Sequence, residues 1–390
     1  MLNRTWFLLS LFIFQLSTLS YAGFCQTVVP LPEAVLFQDF RTNVQLVRRH
    51  STTEADFAFL NRIVWGTNGV LYRQLDSHSY LGASSPIEIY SLESILKPGD
   101  PLGIYALYPK RVGLGDANGE NTVAYYRSYL AVDESIRGRG FGKTLTGTAY
   151  QCMMDTLGKQ NGFCYGYIEA ENENSLRLSR ANGNVELGSF QTVFFNRVRH
   201  RIDPRVILAT LEQRVEITNL LKHQYRNYAL TDFEYSVRPE NYYVITDARG
   251  TILAGLQANK HHWAGERLPA GPLGWLALNV PPLVPFMRTR LNLASYDFIR
   301  LGNIYYAPGQ LRLVQTLIET VMAQLGVYHA QIFTGGRTSP LYQDLKSLRL
   351  GPVNALLETE VKLMGRFSDP EDPRLNQIIG RPILPSIEDN

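Results

Sequence analysis

Cysteine is scarce in this chain of 390 residues. Cys25, Cys152 and Cys164 are too few and too scattered for a disulfide framework. Cys152 falls on the apolar side of a helical pattern and Cys164 in a strand pattern, so both read as buried free thiols. Charge of one sign is also lacking: the formal net charge is +3, and acidic and basic residues are interleaved without long blocks. Such a balance gives no case for nucleic acid or an anionic surface as a partner. Low-complexity tracts are absent, and beyond residue 22 no segment is long and apolar enough to span a membrane. The Asn-x-Ser/Thr sequon Asn3-Arg4-Thr5 has no second example, which leaves no sign of a glycosylated secreted protein.

The N-terminus carries more. Arg4 precedes an apolar run from Trp6 to Leu16, and Ser20-Tyr21-Ala22 puts small residues at the two positions a signal peptidase inspects. The expectation is a signal peptide over residues 1–22, cleaved on export, with no membrane segment afterwards. An uncleaved anchor is the competing reading, because Trp6–Ala22 is only slightly shorter than a bilayer span. Phe24, bulky and directly before Cys25, argues against a lipoprotein cysteine.

A chain of this length is expected to divide into two domains. Apolar spacing predicts a helix from Lys143 to Leu157 stopped by Gly158, a strand over Phe163–Glu169, and a helix Ser175–Asn182 ending at Gly183. The same order returns as a helix from Leu311 closed by Gly326, a strand Val327–Phe333, and a helix Leu341–Leu350 ending at Gly351. Gly158 and Gly183 thus recur 168 residues later, and Asp203-Pro204-Arg205 recurs as Asp372-Pro373-Arg374. Together these indicate an internal duplication divided near residue 203. A helix Glu54–Val64 and a meander of Ile87–Leu92, Pro101–Pro109 and Asn121–Val132 lead the first half. A helix Val215–Tyr225 and strands Tyr242–Thr246 and Thr251–Gln257 lead the second. The fold class is α+β, with helices flanking a mixed, mostly antiparallel sheet in each of two domains, 23–202 and 203–390.

The chemistry concentrates where the strand ending Tyr129-Leu130-Ala131-Val132 runs into Arg137-Gly138-Arg139-Gly140-Phe141-Gly142-Lys143 and a helix follows. A glycine-rich turn at a helix N-terminus points backbone N–H groups at an anion, and the helix dipole adds to the attraction. Arg137, Arg139 and Lys143 supply further positive charge, so a phosphate or pyrophosphate is the expected guest. A Walker loop is excluded, because Arg137 stands where its first glycine belongs, and the dinucleotide fingerprint fails at Lys143.

Arg137, Gly140 and Gly142 satisfy Arg-x-x-Gly-x-Gly, and Asn172-x-x-Ser175-x-x-Leu178 with Gly183 follows the next strand. Over roughly residues 40–200 this resembles the GNAT superfamily of acyl-CoA-dependent N-acyltransferases. The resemblance implies an acyl-CoA co-substrate, most simply acetyl-CoA, an amine acceptor on a protein or small molecule, and no metal. It implies that Gly138–Lys143 hold the pyrophosphate and that the backbones of Leu130 and Val132 pair with pantetheine in a gap beside their strand. Asn172 and Ser175 would stand beside the pantetheine arm. A base or water chain must deprotonate the amine, and a strand N–H would hold the oxyanion. The family's acid is often a tyrosine seven residues after the motif asparagine; here that position is Ser179. Ser179, Ser175 or a water are the candidates for the acid. Glu169, Glu120, Tyr125 and Tyr126 are those for the base, and Glu171 and Glu173 read as a solvated helix start.

Carrying the 168-residue offset onto the loop reaches Tyr305, Pro308 and Gln310, so the second copy is expected to lack a standard CoA site. His261-His262-Trp263 reads as a loop rather than a metal site. Two functions follow: an exported acyltransferase, or a non-catalytic tandem protein that binds a ligand or partner. Export separates the enzyme from cytosolic acyl-CoA, and delivery of a bacterial protein into a host cell would resolve that conflict.

Overall fold

Tyrosine, valine and isoleucine crowd the strand segments of both halves, side chains that fit a pleated, half-buried surface. The computed structural model describes residues 33–66, 70–81, 86–115, 121–158, 161–197, 199, 201–268, 271–288, 290, 292–351 and 353–387. The N-terminal segment with Cys25, and the base candidate Glu120, lie outside them.

The first half holds β1 (Ala34–Asp39), β2 (Val44–Arg49), β3 (Trp65–Gly66), β4 (Leu71–Gln74), β5 (Glu88–Ser94), β6 (Lys97–Val112), β7 (Thr122–Val132), β8 (Phe163–Glu169) and β9 (Val185–Asn196). The second holds β10 (Ile207–Leu208), β11 (Tyr242–Thr246), β12 (Ile252–Arg267), β13 (Tyr296–Tyr306), β14 (His329–Phe333) and β15 (Thr359–Phe367). They form one mixed sheet ordered β1-β2-β5-β6-β7-β8-β15-β9-β14-β13-β12-β11-β10, with β4 on the far end of β12 and β3 on β4. β7–β8 and β13–β14 are parallel pairs in an otherwise antiparallel arrangement. The halves interleave: β15 lies between β8 and β9, and β9 reaches across to β14.

Five longer helices matter below: α1 (Glu54–Arg62), α2 (Phe141–Leu157), α3 (Glu173–Ala181), α4 (Gln213–Gln224) and α5 (Leu311–Gln324). Leu145, Ala149, Met153 and Leu157 press α2 onto one face of β5–β8, while Phe59 and Leu60 bring α1 to the opposite face. In the second half α4 and α5 bury Ile217, Leu221, Leu317 and Val321 against β11–β14. The start of α1 is fixed by a capping box between Thr53 and Asp56, and the wholly buried Asp56 also takes Arg49 at 2.8 Å.

Two local features occur once in each half. Asp203 and Asp372 each accept the backbone N–H two residues on and pair with that residue's guanidinium, at 2.7 Å for Arg205 and 2.6 Å for Arg374. Both β7 and β13 carry a bulge with a left-handed residue, Tyr129 at φ 53° and Asn303 at φ 48°. Gly158 ends its helix as expected but is right-handed at φ −57°, whereas Gly183 and Gly326 are left-handed just past their helix ends. The helix expected over Leu341–Leu350 stops at Ser347, so Gly351 is left-handed but caps no helix. His261-His262-Trp263 is no loop but part of β12, paired with Phe298, Asp297 and Tyr296. Polar side chains there break the alternation while backbone pairing on both sides extends the strand.

Candidate active site

Asp133 closes the end of β7 by accepting the Ser135 N–H at 3.0 Å, which caps a single turn of 3-10 helix over Glu134–Ile136. The chain then turns through Gly138 and Gly140 at φ 80° and 87°, values that favour glycine. Open space lies where a Cβ would stand on either. Gly140 caps α2 with no side-chain hydrogen bond. Lys143 and Thr144 are the first amides bonded back to it, at 2.9 and 3.1 Å. The amides of Phe141 and Gly142 therefore precede the helix ladder, as an anion site requires. Lys143 spends its amide inside the helix, so only its exposed ammonium can serve the loop. Arg137 is exposed and donates to the Val132 carbonyl at 3.2 Å, and Arg139 is exposed beside it.

Beside this loop the sheet opens. β7 and β8 pair only as far as Arg127 and Gly166, and the Tyr129 bulge then turns β7 away. The Asp133 amide bonds Leu102 on β6. By alternation the N–H groups of Leu130 and Val132 face the side β8 has left. Gly142 packs 3.7 Å from Val132 at its Cβ position, which holds helix and strand in one wall.

The gap is the mouth of a cavity of about 280 Å³. It runs from Thr146, Tyr150 and Ser179 on the helix side to Trp65, Tyr126 and Tyr167 on the other. Asn172 and Ser175 stand on its wall, and Asn172 caps α3 by accepting the Ser175 N–H at 3.1 Å. Ser179 is 4% exposed, and its hydroxyl has no hydrogen-bond partner among the described residues. Glu169 is half-buried on the same wall. Tyr126 sits in an aromatic row with Tyr108, Tyr165 and Tyr167. Tyr125 does not join them: its hydroxyl donates to buried Glu88 at 3.0 Å on the opposite face. Glu171 and Glu173 are exposed at the helix start.

Several wall residues had not been singled out. Arg127 is buried, donates to the Met364 carbonyl at 2.9 Å and lies 5.1 Å from the Tyr150 ring centre. Tyr150 accepts from Asn184 at 2.5 Å, and burial pushes its phenol well above the ordinary range, making it a poorer proton donor than a free tyrosine. Arg300 and Gln331 form the far end, in the second half. An arginine set inside an apolar strand, as in Tyr125–Ala131 and Phe298–Leu301, is the signal that could have found both.

In the second half β13 and β14 likewise pair only as far as Leu301 and Ile332, and there Ile387 packs against Gly302. Four residues, 307–310, join β13 to α5, against eight, 133–140, between β7 and α2. Tyr305, reached by the constant offset, is therefore a strand residue rather than a loop residue. Asn303 at the bulge donates to Gln257 at 3.1 Å and its carbonyl accepts from Tyr242 at 2.9 Å, both on the β11–β12 side of β13. No group of three or more metal-ligating side chains occurs among the described residues. His262 instead meets Asp297 at 2.6 Å.

No family model matches the chain, and no curated protein does. Among solved structures it is similar to the N-myristoyltransferase of Saccharomyces cerevisiae with bound myristoyl-CoA. The TM-score is 0.53 and the identity 10%, over 87% of this chain and 80% of that one. A second structure of that enzyme, with myristoyl-CoA and inhibitors, gives a TM-score of 0.53 at 8% identity, over 86% and 85%. A GCN5-related N-acetyltransferase from Anabaena variabilis matches at a TM-score of 0.46 and 12% identity, over 83% and 73%. The chain thus shares its fold with these N-myristoyltransferase structures over most of its length, and carries within it a splayed strand, a bulge and a glycine loop.

Proposed function

We propose that the chain is an acyl-CoA-dependent N-acyltransferase whose acyl-CoA site lies in residues 23–202, with 203–390 a second copy of the fold that has lost the site. The observation that carries this reading is that the β7–β8 gap opens onto a cavity lined by Leu130, on the strand that runs on into the glycine loop. Amides at Gly138–Gly142, aided by Arg137, Arg139 and Lys143, would take the pyrophosphate. Pantetheine would pair with the exposed N–H groups of Leu130 and Val132, displacing the Arg137 contact at the Val132 carbonyl. The thioester then reaches the bulge, where a β7 amide stabilises the tetrahedral oxyanion as the amine attacks. The amine nitrogen forms the new C–N bond, the C–S bond breaks, and the proton lost from the amine passes to Glu169 or through water beside Tyr126. The departing thiolate takes a proton from Ser179 or a water it positions.

Two of the similar structures hold myristoyl-CoA, so the acyl group is tested from acetyl to myristoyl. Release of CoA with a panel of peptide and small-molecule amines, read by mass spectrometry, is the experiment; no turnover with any pair would remove the enzyme reading. Ser179→Ala is expected to lower kcat by about 100-fold, the lower end of the usual worth of a proton-transfer group. It should leave thermal stability unchanged or raised, since it deletes a buried hydroxyl without a partner. An undiminished kcat would assign the proton to water alone. Export belongs to the same proposal, and sequencing the mature N-terminus checks it.

A further inference from the structure

Between Glu266 and Asp297 the chain runs for thirty residues without an acidic side chain, and carries Arg267, Arg288 and Arg290. The chain-wide balance of charge hides this local excess. Both flanking carboxylates are already paired, Glu266 with Arg73 at 2.5 Å, and Asp297 with Lys260 at 3.0 Å and His262 at 2.6 Å. Prolines at 272, 281, 282 and 285 break the segment into the helix Pro272–Asn279, a 3-10 turn Pro281–Leu283 and the short helix Pro285–Arg288. No helix among the described residues is long and apolar enough to cross a membrane. Trp275, Leu276, Leu283, Val284 and Phe286 nevertheless face solvent, Trp275 at 62% exposure and Leu283 at 81%. Leu278 and Leu293 hold the segment from beneath, in a cluster with Trp263, Tyr296 and Leu357, three residues that also line the cavity. Cations stand beside the exposed side chains: Arg288 is itself exposed, and the Arg290 guanidinium lies 4.6 Å from the Phe286 ring centre.

A contiguous exposed apolar patch on a folded chain marks an interaction surface. A second copy of this chain, docked about a two-fold axis, would set these arginines against their own counterparts. An apolar surface that carries tryptophan, is rimmed by arginine and lacks acid matches the headgroup boundary of an anionic bilayer. Its apolar tips enter the acyl boundary while the guanidinium groups stay with the phosphates. We propose that residues 272–290 form a docking surface for an anionic lipid bilayer, lying in its interface rather than spanning it. Docking sets the Trp263–Tyr296 end of the cavity beside the bilayer. The docking surface does not depend on the acyl-transfer reading.

The test uses the full chain with Trp6→Phe, which leaves Trp65 and Trp263 on the cavity wall and Trp275 at the surface. Vesicles of equal parts phosphatidylcholine and phosphatidylserine are compared with vesicles of phosphatidylcholine alone. Binding is read by co-flotation, and insertion by quenching of tryptophan emission with lipids brominated on the acyl chain. The expected result is binding at least tenfold tighter to the anionic vesicles, with quenching that Trp275→Phe removes. An arginine near an anionic surface is worth about fivefold. Arg288→Gln, at an exposed position, should therefore weaken binding about fivefold, and Arg288→Gln with Arg290→Gln about 25-fold. Leu283→Ser with Phe286→Ser, both exposed, should weaken it at least tenfold without lowering Tm. Equal binding to the two kinds of vesicle overturns the proposal. So does binding unchanged in the Leu283→Ser, Phe286→Ser variant, which would assign it to the apolar run Trp6–Leu16. A wild-type dimer that this variant turns into a monomer, read by sedimentation, would give the surface to a second copy and overturn the proposal too. Vesicle binding without any acyl transfer would remove the enzyme reading and leave this surface standing. Transfer without vesicle binding would do the reverse.

Discussion

Gly140→Pro is expected to abolish stabilisation by acetyl-CoA while the fold persists. Gly140 has φ 87°, and proline is confined near −65°, so the turn that aims the Phe141 and Gly142 amides must rearrange. Nothing lies within 4 Å of a Cβ there, so no core is opened. A ligand present at a hundred times its dissociation constant adds about 2.7 kcal/mol to the native state. That difference is readily seen as a shift in Tm, and the variant should show none. Gly250→Pro serves as the control, because Gly250 has φ 85° in the exposed turn joining β11 to β12. It suffers comparable backbone strain far from the loop and should keep the full ligand shift. Equal shifts in the wild-type protein and Gly140→Pro would mean that acyl-CoA, if bound, does not use this loop.

Acid is expected to unfold the protein from its second half, beginning below pH 6.5. Burial lowers His261 and His329 to about 4 from an ordinary 6.5, so both rings are neutral in the fold. Arg300 adds to the lowering at His261, and Asp76 opposes it. An unfolded imidazole takes up its proton near 6.5, so between there and 4 the unfolded chain binds more protons than the native one. The stability these rings contribute is complete above pH 6.5 and is lost as the pH falls through 4. At about 1.4 kcal/mol per unit, pH 5 costs about 2 kcal/mol for each ring. Against a usual total of about 5–15 kcal/mol that is a large share. Urea unfolding at pH 7.5 and pH 5 should show a loss of about 4 kcal/mol from the two rings, beyond whatever the carboxylates add. The double variant His261→Gln with His329→Gln should lose correspondingly less. Equal losses in the two proteins would place the acid sensitivity elsewhere.

Local backbone chemistry is what the sequence exposed best. The bounds of β8 coincide with the apolar run Phe163–Glu169, and the left-handed glycines at 140, 183, 326 and 351 stand where turns or helix ends were expected. The loop was legible for the same reason, because anion binding by successive amides depends on contiguous residues. Ser179 was reached through the family resemblance, seven residues after Asn172. Arg127 and Arg300 were not, since a common cavity wall arises only when β7, β8, β15, β9, β14 and β13 line up side by side. The Tyr125–Tyr126 choice turned on which face of β7 meets the gap, and alternation alone cannot name that face. The 168-residue offset fails at the bulge, because the segment joining β13 to α5 is four residues shorter than the one joining β7 to α2.

The position of β15 sets the order in which a newborn chain can finish its architecture. β8 and β9 are complete by Asn196, yet the strand that lies between them ends at Phe367. At about 5–20 residues per second of synthesis, the ribosome needs roughly 10–30 s to supply it. During that interval two unpartnered edges stand open in the nascent first half, each able to pair with a stranger. A chaperone that occupies them, or export before folding begins, would protect the molecule over that window. A truncation before residue 359 removes the whole of β15 and leaves those edges open for good.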